Sequence, residues 1–353
     1  MKITAKRVIQ LFLLTGVIQF TACKKDTKID YLKSDLVTFN VNNAVYNSIF
    51  NTTEKTVKVI IPHSLDKRSL TFNFSISDQA KVLFNNNPLI SGSNNIDCTL
   101  PVKLSVSSGD HQSTTLWTIN AETDVVYQGL GNKVTAEKSL NKTYDFYIDQ
   151  FDGSTYQSIN CGPAVTTMAI KWSDSTFTKT SLNARNTIRP NGDWWFTNDV
   201  SDYLTRNGVA NKYIKLDNFE QNIKEAIDDN NALILCLDMY YVSFNADIFK
   251  HTDKFYKTAA EKWGHFILVK GYKIVDGKFY LEAYDPYSET SKYTIDGTLK
   301  GKNRYYTSTD IKLATDVWWQ YAIVVLPKGK TSFSTLNKSS IRNSSVIPVA
   351  MGR

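Results

Sequence analysis

The chain has 353 residues, 42% hydrophobic, 12% aromatic and 21% charged, the composition of a globular protein long enough for two domains. Its formal charge is +7, but Lys2, Lys6 and Arg7 precede any acid, and the remainder holds 38 basic against 34 acidic side chains, too mild an excess to argue for nucleic acid. Four cysteines in a chain of this length exclude a small disulfide scaffold.

Residues 1–22 read as a secretory signal. A basic start leads into the apolar run VIQLFLLTGVIQF, too short to span a bilayer as a helix. Thr21 and Ala22 before Cys23 resemble a bacterial lipobox. The resemblance implies cleavage before Cys23, lipidation of its thiol, and an exported protein anchored to a membrane of the cell envelope, at the outer membrane or cell surface. Residues 23–34 are then a polar tether. From 35 to 122 the chain runs in short alternating stretches such as LVTFNV, TVKVII and VKLSVS, separated by turn-rich segments. Period-two alternation at this spacing predicts an all-β antiparallel sandwich of six or seven strands; the pattern resembles the immunoglobulin-like N-terminal domains of secreted lipoproteins of the Bacteroidetes type. His63 and His111 stand alone there and read as surface polar residues.

Residues 123–149 read as a linker and 150–328 as an α+β domain. Helices are expected over 163–172, from a cap at Thr197 or Asn198 to Gly208, and after a capping-box spacing of Asp217 and Glu220. Apolar strands ALILCLDMYY, GHFILVKGYKI, KFYLEAYD and WWQYAIVVL follow. Helices first and an antiparallel sheet after is an α+β order. Residues 329–353 are rich in Ser, Asn and Lys and read as a disordered tail.

Cys98 and Cys236 fall in predicted strands, where a cysteine is usually a small apolar filler. Cys161 differs. In QSINCGPAVTTMA it opens a helix whose first turn holds Pro163, suited there because it lacks the N–H that would go unsatisfied. A sulfur at that place faces unpaired backbone N–H groups and the positive end of the helix dipole, surroundings that make a thiol reactive. Gly162 is expected to keep the approach to the sulfur open. A nucleophilic cysteine needs a base, and the base needs an orienting acceptor. Of four histidines, only His265 opens an apolar strand, and Asp285 closes the next one before Pro286. No two Cys/His pairs stand at zinc-ligand spacing, so no metal or other cofactor is expected. Trp194, Trp195, Tyr240, Tyr241, Trp318 and Trp319 are candidates to line a cleft or to fill the core.

The pairing of those strands tests the set. If Asp276 and Gly277 form a two-residue turn, Asp285 stands opposite Leu268, and alternation puts it on the face away from His265. Contact requires a three-residue loop over 275–277 or a bulge at Gly271.

QSINCGPAVTTMA, GHFILVKGY and AYDPY, in that order, resemble the three blocks of the bacteriocin-processing (double-glycine leader) peptidase-like family, a branch of the papain-like cysteine peptidases, over about 150–327. The resemblance implies a papain-like fold and peptide hydrolysis through a thioester, with Cys161 as nucleophile, His265 as base and Asp285 as orienting acid. It also implies an oxyanion-stabilising glutamine upstream of the cysteine. Gln157 is the nearest; at the family's spacing this chain has Thr155, and Gln150 lies further away. The implied partner is a peptide or protein substrate, beside the membrane that would hold the anchor. The chain has no G-x-x-x-x-G-K-[ST] phosphate loop, so the leader-peptide substrate of transporter-linked members does not carry over. Two other readings stand beside peptidase: a surface lipoprotein that holds peptide without cutting it, and an amidase or transferase acting on peptidoglycan peptides with the same three residues.

Overall fold

The computed structural model describes residues 30–257, 260–332 and 351–352; the expected signal and the anchor at Cys23 lie outside them. The first region is β-rich. Its strands are β1 (Leu36–Val41), β2 (Ile49–Asn51), β3 (Thr56–Ile61), β4 (Phe72–Ile76), β5 (Lys81–Phe84), β6 (Asn87–Pro88), β7 (Val102–Ser107) and β8 (Thr114–Thr123). β1 pairs with β4, and the others form a six-stranded sheet in the order β2-β3-β8-β7-β5-β6. Alternate residues of β7, Val102, Leu104 and Val106, turn into a core with Phe39, Val57, Val59, Phe72 and Trp117. The expectation of purely antiparallel pairing fails at one place: β3 and β8 run parallel. The whole stretch between them serves as the long crossover that a parallel pair requires.

The stretch 123–149, expected to be a linker, contributes structure to the second region. After the short helix α1 (Asp124–Tyr127), β9 (Val134–Ser139) joins the second sheet by pairing with β13. Its sequence VTAEKS is half-buried and exposed by turns, too polar to announce a strand.

The second region continues with α2 (Cys161–Ser173), α3 (Ser181–Ile188), β10 (Trp195–Phe196), α4 (Thr197–Arg206), β11 (Asn211–Lys215), α5 (Phe219–Asp228), β12 (Ala232–Asp238), β13 (Gly264–Val275), β14 (Lys278–Tyr284), β15 (Arg304–Thr307), α6 (Ser308–Asp316) and β16 (Tyr321–Val325). The main sheet is ordered β11-β16-β12-β13-β14-β15, every pair antiparallel. β12 and β16 are buried along their whole length, which is why they read as continuous apolar runs. β13 is the long central strand: β12 pairs with its first half and β9 with its second, while β14 takes the opposite edge. α2 packs on β12 and β13.

Two local expectations fail. The capping box at Asp217 and Glu220 does not form: α5 begins at Phe219 after Asn218, without a side-chain cap, and Glu220 Oε1 instead accepts from Ser308 Oγ at 2.5 Å. The tail is not wholly without structure either, since Met351–Gly352 form β17, paired with β10.

Candidate active site

α2 places Cys161 at its first residue. Gly162 acts differently from the expectation. A Cβ there would stand 2.5 Å from Trp195 Cβ, so this glycine lets β10 pack directly on the helix start. The approach to α2 is fixed by Arg185 of α3, fully buried. Its guanidinium donates to Asn160 Oδ1 at 2.8 Å, to Ile159 O at 3.0 Å, to Gly192 O at 3.1 Å and to Asp193 O at 2.7 Å. One side chain thus ties the residues before Cys161 to those before β10. Burial pulls its guanidinium below the usual range.

His265 is the second residue of β13 and Asp285 follows the last residue of β14. His265 Nε2 lies 2.7 Å from Asp285 Oδ1, both side chains 1% exposed. The imidazole also hydrogen-bonds Cys161, which leaves Nδ1 to face the sulfur. Burial alone would pull the imidazolium down, but the charge and hydrogen bond of Asp285, with those of Cys161, outweigh it and push His265 up to about 10. Burial would likewise raise Asp285; the His265 charge and hydrogen bond, then Tyr306 and the Tyr287 N–H, hold its carboxyl below the usual carboxylate range. No disulfide joins Cys98, Cys161 and Cys236. Burial pushes the Cys98 thiol up to about 12 and that of Cys236 well above the ordinary range, as expected of apolar fillers.

The register answers the parity problem. Val275 pairs with Lys278, so Asp276 and Gly277 are a two-residue turn, with φ of 49° and 78°, the positive pair of a type I′ hairpin. The correction comes from the bulge. Pairing shifts between Val269 and Gly271, and beyond it Leu268 faces Tyr284. Asp285 therefore continues opposite Ile267, on His265's face. Glycine is required at 271 because a Cβ would stand 2.6 Å from Lys138 O of β9 and 2.8 Å from Glu282 Oε2.

With that geometry in place, comparison with protein families gives a match over residues 141–312 to the Peptidase_C39 like family. Residues 141–312 form a Peptidase_C39 like domain. Membership of that family points to a cysteine peptidase. No curated protein matches the chain. Among solved structures, a protein of Bacteroides fragilis described as secreted is 13% identical, covering 26% of this chain and 97% of its own, with a TM-score of 0.22. One of Bacteroides thetaiotaomicron described as a glycoside hydrolase is 14% identical, covering 82% and 89%, with a TM-score of 0.23. Likeness at that level carries no inference.

The Peptidase_C39 like domain adds groups that the sequence did not single out. Asp285 Oδ2 accepts from Tyr256 Oη at 2.8 Å and Tyr306 Oη at 2.7 Å, and Oδ1 also accepts from the Tyr287 N–H at 2.9 Å. Trp263 stacks near His265, centroids 6.2 Å apart and planes at 19°. These tyrosines lie in loops or on a short strand, 29 and 21 residues from Asp285, and only the fold unites them. The glutamines are placed as follows. Gln157 is turned back on its own loop, its Oε1 accepting from the Gly153 N–H at 3.0 Å. Gln150 is fully buried, donating to Gln157 O at 3.1 Å and Ser158 O at 3.4 Å, with Oε1 left without a hydrogen-bond partner. Of the six aromatics, Trp195 lies against α2 and is buried, whereas Trp194 and Tyr240 are exposed. Among the described residues no cluster of His, Cys, Asp and Glu could hold a metal ion, and no helix is long and apolar enough to cross a membrane.

Proposed function

We propose that this protein is a cell-envelope cysteine peptidase with Cys161, His265 and Asp285 as its catalytic residues. The observation that carries the reading is the buried relay in which one imidazole meets Cys161 on one side and Asp285 at 2.7 Å on the other. The Cys161 thiolate attacks a peptide carbonyl, and the C–N bond breaks as imidazolium His265 gives its proton to the leaving amine. Neutral His265 then takes a proton from water, whose oxygen attacks the thioester; the peptide acid leaves and the sulfur regains its charge. Asp285, held by two tyrosine hydroxyls and a backbone N–H, keeps the ring oriented and favours its cationic form. An oxyanion on the carbonyl would be met by N–H groups at the start of α2, each such donor contributing about 10²–10³ in rate. The NH2 group that an oxyanion would need is, in Gln150, already donated to Gln157 O and Ser158 O, so the glutamine's part is assigned to Gln157, whose engaged atom is its Oε1.

The N-terminal sheets are read as an immunoglobulin-like module and Cys23 as the lipid anchor that holds the enzyme at a membrane. The competing reading, a peptide-binding protein that does not cut, is favoured by one observation: Cys161 is fully buried. Mass spectrometry of a peptide mixture after incubation separates the two. Cleavage by the wild type that is lost in Cys161→Ala and Asp285→Asn supports the peptidase; an intact mixture with peptides retained contradicts it.

A further inference from the structure

A nucleophile with 0% exposure beside a histidine with 1% cannot receive a substrate until something leaves. Part of its cover is the chain's own. β17 runs antiparallel to β10, with Gly352 opposite Trp195 and Met351 opposite Phe196. It also lies against β12 and β13, and Gly352 is buried. A Cβ on Gly352 would stand 3.0 Å from Cys161 Sγ and 2.3 Å from Phe266 Cδ2. The backbone of residue 352 therefore fills the gap between the helix start that carries the thiol and the strand that carries His265. An extended peptide docks on a strand edge in this way, with main-chain pairing giving affinity and the side chain allowed at each place giving register.

We propose that residues 351–352 are a built-in occupant of the cleft, seated as a peptide would be, and that they close the Cys161 site until displaced. Calling the gap a substrate cleft rests on the peptidase reading; the occlusion itself does not. A side chain at 352 would overlap the Phe266 ring and crowd Cys161 Sγ, so a bulky residue there should unseat the segment.

The full-length wild type and Gly352→Val are treated with iodoacetamide at neutral pH, and alkylation of Cys161 is followed by peptide mass spectrometry. Gly352→Val should react about tenfold faster, as when a tethered segment at an effective concentration of order 1 mM occupies a site with a Kd of about 0.1 mM. The free peptide IPVAMGR, residues 347–353, added at millimolar concentration, should restore protection. Met351→Pro, which puts a residue without an N–H and with a fixed φ into the strand that pairs with β10 without adding bulk beside the thiol, should also accelerate alkylation and covers the case in which Gly352→Val does not fold. Equal rates in folded wild type and variants, or no protection by the peptide, overturn the proposal. Faster alkylation without peptide hydrolysis would uphold the occlusion and sink the peptidase; hydrolysis by the wild type that Gly352→Val leaves unchanged would do the reverse.

Discussion

Two histidines of this chain meet carboxylates, one at the junction of its two regions and one in the Peptidase_C39 like domain. His63 Nδ1 lies 3.0 Å from Asp124 Oδ1 and Nε2 lies 2.9 Å from Glu137 Oε1, with 17% of its side chain exposed. It links the N-terminal sheets to α1 and β9, a role that a lone histidine in a polar turn did not reveal. His265 has a single carboxylate, no exposure worth the name, and a thiol on its other side. Both of His63's nitrogens are spent on acids near solvent, so it is a fastener. His265 divides its nitrogens between an acid and a sulfur in a buried pocket, so a proton held there can be passed on. Contact with a carboxylate does not by itself make a histidine a candidate for catalysis; what the other nitrogen faces, and how dry the place is, do.

The comparison sharpens most at Asp285. Asp285→Asn should lower peptide hydrolysis by about 10²–10⁴-fold, the scale seen when an orienting acid is neutralised, measured as kcat/KM on a cleaved peptide. A loss no larger than twofold would break the distinction. Tyr306→Phe removes one of two hydroxyls on Asp285 Oδ2 and should destabilise by about 1.5–3 kcal/mol, the range for hydrogen bonds to charged groups, read from the urea midpoint at unchanged m. The pH dependence has a definite sign. The folded His265 is raised from 6.5 to about 10, so its contribution to stability is complete below 6.5 and is lost as pH rises through about 10. Chemical denaturation should show stability falling across that window, and an NMR titration should find the ring cationic at neutral pH. Smallest is His63→Ala, expected to cost about 0–1 kcal/mol, as for ion pairs near solvent, with hydrolysis unchanged.

Much of the site was legible because each of its three residues ends or begins an element: Cys161 before Gly162-Pro163, His265 after Gly264, Asp285 before Pro286. The hairpin was only half legible. Asp276-Gly277 announces a two-residue turn, which by itself would separate His265 from Asp285, and the glycine that corrects it serves a neighbour, β9, whose polar alternation hid it in an apparent linker. α6 was missed although Thr307 and Asp310 stand at cap spacing, and the Thr307 hydroxyl does accept the Asp310 N–H at 3.3 Å. Tyr256, Tyr306 and Arg185 carry no local signal, because their partners are far away in sequence. Nor does a tail rich in Ser, Asn and Lys foretell that Gly352 lies against Cys161.

The central claim, that Cys161 is a nucleophile activated by His265, is tested most directly by its selectivity toward a thiol electrophile. Wild type, His265→Ala, Gly352→Val and the double variant are alkylated at neutral pH, with Cys98 and Cys236 as internal references. The account predicts that Cys161 reacts ahead of both references in wild type and in Gly352→Val, and that His265→Ala slows it by about tenfold or more in either background, a change of about 1.4 kcal/mol. Alkylation of Cys161 at the same rate with and without His265, in folded protein, would contradict it.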